Sequence, residues 1–179
     1  MEEELSEADL FYYGTICHKP ADDPAIGRQP QNHGGEIMAF WTPWRGCHRQ
    51  SEGCRYCYIH KGNARRGVDT DKIVRSERFN APLEKKANDE WKMKSGQIVY
   101  VTSDFFVEDA DPWRAEAWQI IRQRPDLHFL FLTKRIERFS IGLPDDWGAG
   151  YPNVTIGCTV ENQRRADERL ALFASLPIV

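Results

Sequence analysis

"QIVYVTSDFFVEDADPWRAEAWQIIRQRPDLHFLFLT", Gln97 to Thr133, carries a strand, a helix and a second strand in one run. "QIVYVTS" is rich in β-branched and aromatic residues, the composition of a buried strand. Asp111 followed by Pro112 reads as an N-cap with proline at the first helical position. Trp113, Ala117, Ile120 and Ile121 recur at helical spacing and form an apolar face that ends near Arg124. Pro125 stops the helix, and "HFLFLT" is the next strand. Two strands joined through one helix predict parallel pairing, because parallel neighbours need a long crossover connection.

The same alternation extends in both directions. Upstream, "EIMAFW" (36–41) reads as a short buried strand, "YIHKGNARR" as a short helix and "DKIVRSERF" as a second strand. Leu83, Ala87 and Trp91 predict a helix that starts at Asn80 and Pro82 and closes at Gly96. Downstream, "KRIERFSIGL" is a shorter helix stopped by Gly142 and Pro144. "NVTIGCTV" is a strand, and "NQRRADERLALFASL" is a helix with Ala166, Leu170 and Phe173 inward. "LPIV" (176–179) looks like the opening of a sixth strand. The pattern predicts an α/β fold, a partial (β/α) TIM-like barrel of about five to six βα units. A doubly wound open sheet is the alternative, but no dinucleotide-type glycine fingerprint follows any strand. Residues 1–35, with "HKPADDPAIGRQPQNHGG", read as an irregular lead-in, and 36–179 as the barrel domain, short at its C-terminal end.

Composition limits the function. Hydrophobic content of 41% and charged content of 28% are ordinary for a soluble domain. The longest apolar run, Phe129 to Leu132, cannot span a bilayer, and the acidic start lacks the features of a secretory signal. The expectation is a cytoplasmic protein with no membrane partner. A net charge of −3 predicts no strong general attraction to nucleic acid. "KGNARR" (61–66) and "KRIER" (134–138) read as solvated faces, with a basic cleft hidden under a neutral average as the alternative.

Three of the five cysteines sit in "WTPWRGCHRQSEGCRYCYIH", Trp41 to His60, spaced Cys47-x6-Cys54-x2-Cys57. Such bunching argues against a disulfide framework and for metal binding. Clustered thiolates select zinc or an iron–sulfur cluster. Structural zinc takes four protein ligands, so His60, His48 or Cys17-His18 would have to complete a zinc site. Without a fourth ligand, three thiolates suit a cubane with one open iron. The loop follows the first predicted strand, at the end where barrel active sites collect, which favours chemistry. The aromatics of "WTPW" shield the loop or belong to the core.

These residues carry a resemblance. A cluster-binding loop after the first strand, with Tyr56 before the third cysteine, resembles the radical S-adenosylmethionine superfamily. More narrowly, "WTPWRGCHRQSEGCRYCY", "VTSDFFVED", "FLFLTKRIERF" and "VTIGCTVENQRRADERL", in that order, resemble a phage and bacterial three-cysteine-motif family of unassigned function described as radical-SAM-like. The six-residue gap after Cys47 departs from the superfamily's usual three, and such proteins normally continue past a sixth strand.

The resemblance implies that Cys47, Cys54 and Cys57 hold a [4Fe–4S] cluster whose open iron binds S-adenosyl-L-methionine. Reductive cleavage to a 5′-deoxyadenosyl radical is the implied activity. It implies an electron donor as partner and leaves the substrate as a nucleic acid or a small metabolite. By the same resemblance Tyr56 packs near the adenine, with a plain core aromatic as the alternative, and Arg45 neutralises the cluster or the cofactor carboxylate. Among residues that end the later strands, Asp104, beside Ser103, holds a ribose hydroxyl or the cofactor's amino group, with a helix cap as the alternative. Lys134, between Thr133 and Arg135, pairs with the methionyl carboxylate. Glu161 recognises a hydroxyl or amine, while Asn162 caps the next helix and Cys158 packs in its strand. A zinc-stabilised domain and a non-catalytic iron–sulfur binding domain are the alternatives.

Overall fold

Four parallel strands stand side by side in the order in which the chain makes them. The computed structural model describes residues 15–17 and 38–178. Along the chain these are β1 (Thr15–Cys17), β2 (Met38–Trp41), β3 (Trp44–Arg45), helix α1 (Tyr58–Arg65), β4 (Val74–Arg75) and β5 (Ile98–Val101). Helix α2 (Asp111–Gln123), β6 (His128–Thr133), α3 (Phe139–Gly142), β7 (Val154–Val160) and α4 (Gln163–Ser175) follow. The main sheet runs β1-β7-β6-β5-β2. Strands β2, β5, β6 and β7 pair in parallel, and β1 adds an antiparallel edge on β7. The four parallel strands are neighbours in chain order, so their order never reverses, unlike a doubly wound sheet. The sheet is open, with β1 and β2 at its edges, and no closed barrel forms among the described residues.

Alternation along the strands sorts the two faces. Trp41, Val99, Val101, Phe129, Phe131, Val154 and Ile156 are buried. Their alternates Phe40, Tyr100, Leu130 and Leu132 remain half-buried or exposed. The buried face meets α2, which contributes Ala117, Trp118, Ile120 and Ile121. Aromatic rings fill the space between. Phe105 stacks on Phe131 at 4.3 Å, and Trp118 meets Phe105 at 4.9 Å. Both tryptophans of "WTPW" are fully buried, and their indole N–H groups donate to Phe79 O and Asp104 O.

Several expected elements differ. "DKIVRSERF" does not join the main sheet: only Val74–Arg75 is strand, paired with β3 in a separate two-stranded ribbon. The stripe Leu83, Ala87, Trp91 makes no helix. A single turn at Ala81–Leu83 gives way to a tight reversal, in which Lys85 bridges to Trp91. Asp89 takes φ 65° there, and Lys85 lies over the Trp91 ring, a local pairing that competes with the helix. Asp111 does not cap α2 but lies within its first turn, where its carboxylate accepts from Arg114 and Arg138. "KRIERFSIGL" splits into a turn at Ile136–Arg138 and the four-residue α3. Leu176 and Ile178 are buried without forming a sixth strand, and Pro177 O accepts from the Trp147 indole. Thr15–Cys17 is a strand inside the expected irregular lead-in, and the rest of that lead-in lies outside the described residues. Among the described residues no helix is long and apolar enough to cross a membrane.

Candidate functional site

A cleft of about 1180 Å³ opens at the carboxyl ends of the parallel strands. Thr42 after β2, Thr102 to Asp104 after β5, Lys134 and Arg135 after β6, and Glu161 after β7 all line it. The carboxyl edge of parallel strands is where α/β folds place their ligands. The cysteine loop arches over this edge, so that Cys47, Cys54 and Cys57 line the same cleft.

Each cysteine is held by a local device. Cys47 follows Gly46, whose φ of +96° and approach to Lys72 O and Thr70 O leave no room for a Cβ. The Cys47 amide then donates to Thr70 O at 2.9 Å, tying the loop to the segment before β4. Cys54 sits in a helical turn at Glu52–Tyr56, and the Gln50 amide donates to its sulfur at 3.4 Å. Cys57 is the N-cap of α1, its carbonyl accepting from Lys61 N at 3.0 Å. Burial, aided by Asp104, pushes the Cys47 thiol up to about 11, against the pull of Arg135. Burial also opposes the Cys54 thiolate, but the Gln50 and Ser51 amides, Lys134 and the Ser51 side chain together outweigh it and hold that thiol below its ordinary range.

Two ion-pair clusters fasten the loop to the sheet. In the first, the buried Arg135 guanidinium donates to Asp104 at 2.9 Å, to Glu108 at 3.2 Å and to His48 O at 2.9 Å. The same guanidinium reaches the Cys47 sulfur at 3.8 Å. Burial works against this cation, yet Asp104, Cys47 and Glu108 together raise its pKa. Asp104 also accepts from the Thr133 hydroxyl at 2.7 Å. In the second cluster, Glu161 accepts from the Ser51 hydroxyl, from Lys134 at 3.2 Å and from Arg169 of α4 at 2.8 Å. Gly53 lies so close that a Cβ there would stand 2.9 Å from the Glu161 side chain. Outside the cleft, Glu52 accepts from Asn162, Arg164 and Arg165, so α4 grips the cysteine turn as well.

The expected site residues Cys47, Cys54, Tyr56, Cys57, Asp104, Lys134 and Glu161 thus line one cleft. Tyr56 is 51% exposed on the cleft wall, not in the core, with Lys61 5.6 Å from its ring centre. Asp104 and Glu161 have their oxygens engaged by protein donors, and Lys134 faces Glu161. Asn162 does cap α4, accepting from Arg165 N, and Cys158 is buried. Sequence reading passed over Ser51, Gly53 and Arg169, which meet Glu161 only through the fold; no local pattern marks them.

Of the residues suggested as a fourth metal ligand, His48 points to Asp109 at 3.0 Å, and His18 and the Cys17 side chain lie outside the described residues. His60 lines the cleft with its Nε2 buried and without a hydrogen-bond partner; Ser103 Oγ is in the same state. An orphaned buried polar atom costs about 1–3 kcal/mol. Among the described residues no group of three or more His, Cys, Asp or Glu side chains stands ready to hold a metal ion.

An open, sequentially ordered α/β sheet with a thiol-lined cleft at its carboxyl edge defines the class. The chain belongs to the family described as a protein of unknown function (DUF5131), whose pattern matches residues 37–178. No curated protein and no solved structure matches the chain significantly.

Proposed function

We propose that the chain is a radical S-adenosylmethionine-like iron–sulfur protein built on a partial (β/α) barrel. The single observation that carries this reading is that Cys47, Cys54 and Cys57 all line one cleft over the carboxyl ends of β2, β5, β6 and β7. The unbroken strand order supports the partial barrel, since barrels are wound in that order. Three soft thiolates are the donor type that would hold a [4Fe–4S] cluster, and the Gln50 amide facing the Cys54 sulfur and Arg135 facing Cys47 support that reading. When bound, the cluster and S-adenosyl-L-methionine would supply, with one electron from a donor and release of methionine, a 5′-deoxyadenosyl radical to take hydrogen from substrate.

The chain's own part is positioning and exclusion of water. Arg135 offsets negative charge at Cys47, and Asp104 holds Arg135 in place. Lys134, partly exposed on the wall, offers a cation to the cofactor's carboxylate, and Tyr56 offers a ring face to its adenine. Glu161 lines the cleft and braces the loop through Ser51.

The test is anaerobic loading with iron and sulfide. The expected result is a brown protein whose iron and sulfide fall sharply in Cys54→Ala. Full retention of both in that variant overturns the ligand assignment. A second reading, zinc held by the three thiols and His60, draws on the unpartnered His60 Nε2. It calls for a colourless protein with one zinc per chain, lost in His60→Ala.

A further inference from the structure

We propose that the outer wall of the cleft, formed by α1 and the β3–β4 ribbon, binds single-stranded nucleic acid. This names the substrate class of the site proposed above and rests on that reading. The observation is a segregation of charge. Every Lys and Arg described outside residues 45–72, save Lys94, is paired with a carboxylate. Within 45–72 none is paired with a carboxylate among the described residues, although the chain as a whole is net negative.

That segment holds seven Lys and Arg against three Asp and Glu. Of the three, Glu52 is spent on Arg164 and Arg165 of α4. Arg45, Lys61, Arg66 and Lys72 line the cleft itself. A solvated face of a net-negative protein is expected to mix its signs, as α4 does with Arg165 and Glu168. A run of cations with no internal partners is instead an electrostatic footprint for an anion.

Rings set among these cations identify the anion. Tyr58 is 73% exposed and Tyr56 51%, and both line the cleft. Arg55 and Lys61 flank the Tyr56 ring at 5.9 and 5.6 Å. Tyr58 stacks on no other ring among the described residues. Cations beside the exposed ring of Tyr58 match a strand whose phosphates need charge and whose unstacked bases need a π-surface. Cations on both α1 and the β3–β4 ribbon suit several phosphates more than one. The cleft beside them gives an extruded base a route to the thiols.

The test is fluorescence anisotropy of the full chain with a 5′-fluorescein-labelled single strand of about 16 nucleotides, as DNA and as RNA. The same duplex and a labelled mononucleotide are run beside it. Binding of either strand is expected to weaken with salt, with a log–log slope near −3 for about four phosphate contacts. Lys61→Glu with Arg66→Glu is expected to weaken it at least tenfold, and Tyr58→Ala by about tenfold. Lys85→Glu with Lys86→Glu, remote and ion-paired, should leave it unchanged. No strand binding, equal affinity for the mononucleotide, preference for the duplex, or indifference to the Lys61/Arg66 reversal each overturns the proposal. Because the assay needs no cluster, its failure is separable from failure of the iron–sulfur reading. Strand binding without cluster loading sinks only the latter, and cluster chemistry without strand binding sinks only the former.

Discussion

The guanidinium of Arg135 lies 3.8 Å from the sulfur of Cys47, although the two residues are 88 positions apart in the chain. That contact is the hinge of the site, because the same guanidinium is paired with Asp104 and holds His48 O. The loop, β5 and β6 are thereby joined at one buried cation.

Removing that cation leaves Asp104 buried and unpaired. Arg135→Gln is expected to destabilise the fold by about 3–5 kcal/mol in urea unfolding. Asp104→Asn added to it should recover part of the loss, since the stranded charge is then gone. Equal stability of Arg135→Gln and the parent chain would mean that the pair is not buried as described.

Gly53→Ala tests the second fastening. The new methyl would meet a Glu161 side chain already fixed by Ser51, Lys134 and Arg169, so it cannot swing away freely. A loss of about 1–3 kcal/mol is expected in the same measurement. In a Glu161→Ala background the substitution should become neutral or slightly stabilising, because the obstacle has gone and glycine's extra unfolded-state freedom is removed. A penalty that persists there would point to backbone strain at Gly53.

Histidine titration supplies a pH signature. Burial holds His128 below its ordinary value of 6.5. The folded protein therefore binds fewer protons than the unfolded chain just below that value, and stability rises with pH there. Stability from this group is present above pH 6.5 and is lost as pH falls toward the folded value. Melting temperature is expected to fall between pH 7 and pH 5.5, and His128→Asn should flatten part of that slope. An unchanged slope in the variant would assign the effect to other groups, such as His60, which burial also lowers.

The opening stretch explains how much of this was legible beforehand. Strands β5 and β6 are apolar and helix α2 is amphipathic with a clear period, so their burial is written locally in Val99, Phe129, Phe131 and Ile120. The cysteine loop was legible because thiol clustering is a chemical signal, not a packing one. The Leu83–Ala87–Trp91 stripe misled because its period is helical while its ends prefer a reversal through Asp89. The clasp of Ser51, Gly53 and Arg169 around Glu161 was invisible. It joins three segments whose only relation is tertiary, and a glycine that merely makes room leaves no pattern.

The central claim is met most directly by anaerobic incubation of the iron- and sulfide-loaded full chain with S-adenosyl-L-methionine and dithionite, followed by quantitation of 5′-deoxyadenosine. The account predicts release of 5′-deoxyadenosine by the parent chain and none by Cys54→Ala. A colourless protein carrying one zinc per chain and releasing no 5′-deoxyadenosine would contradict it.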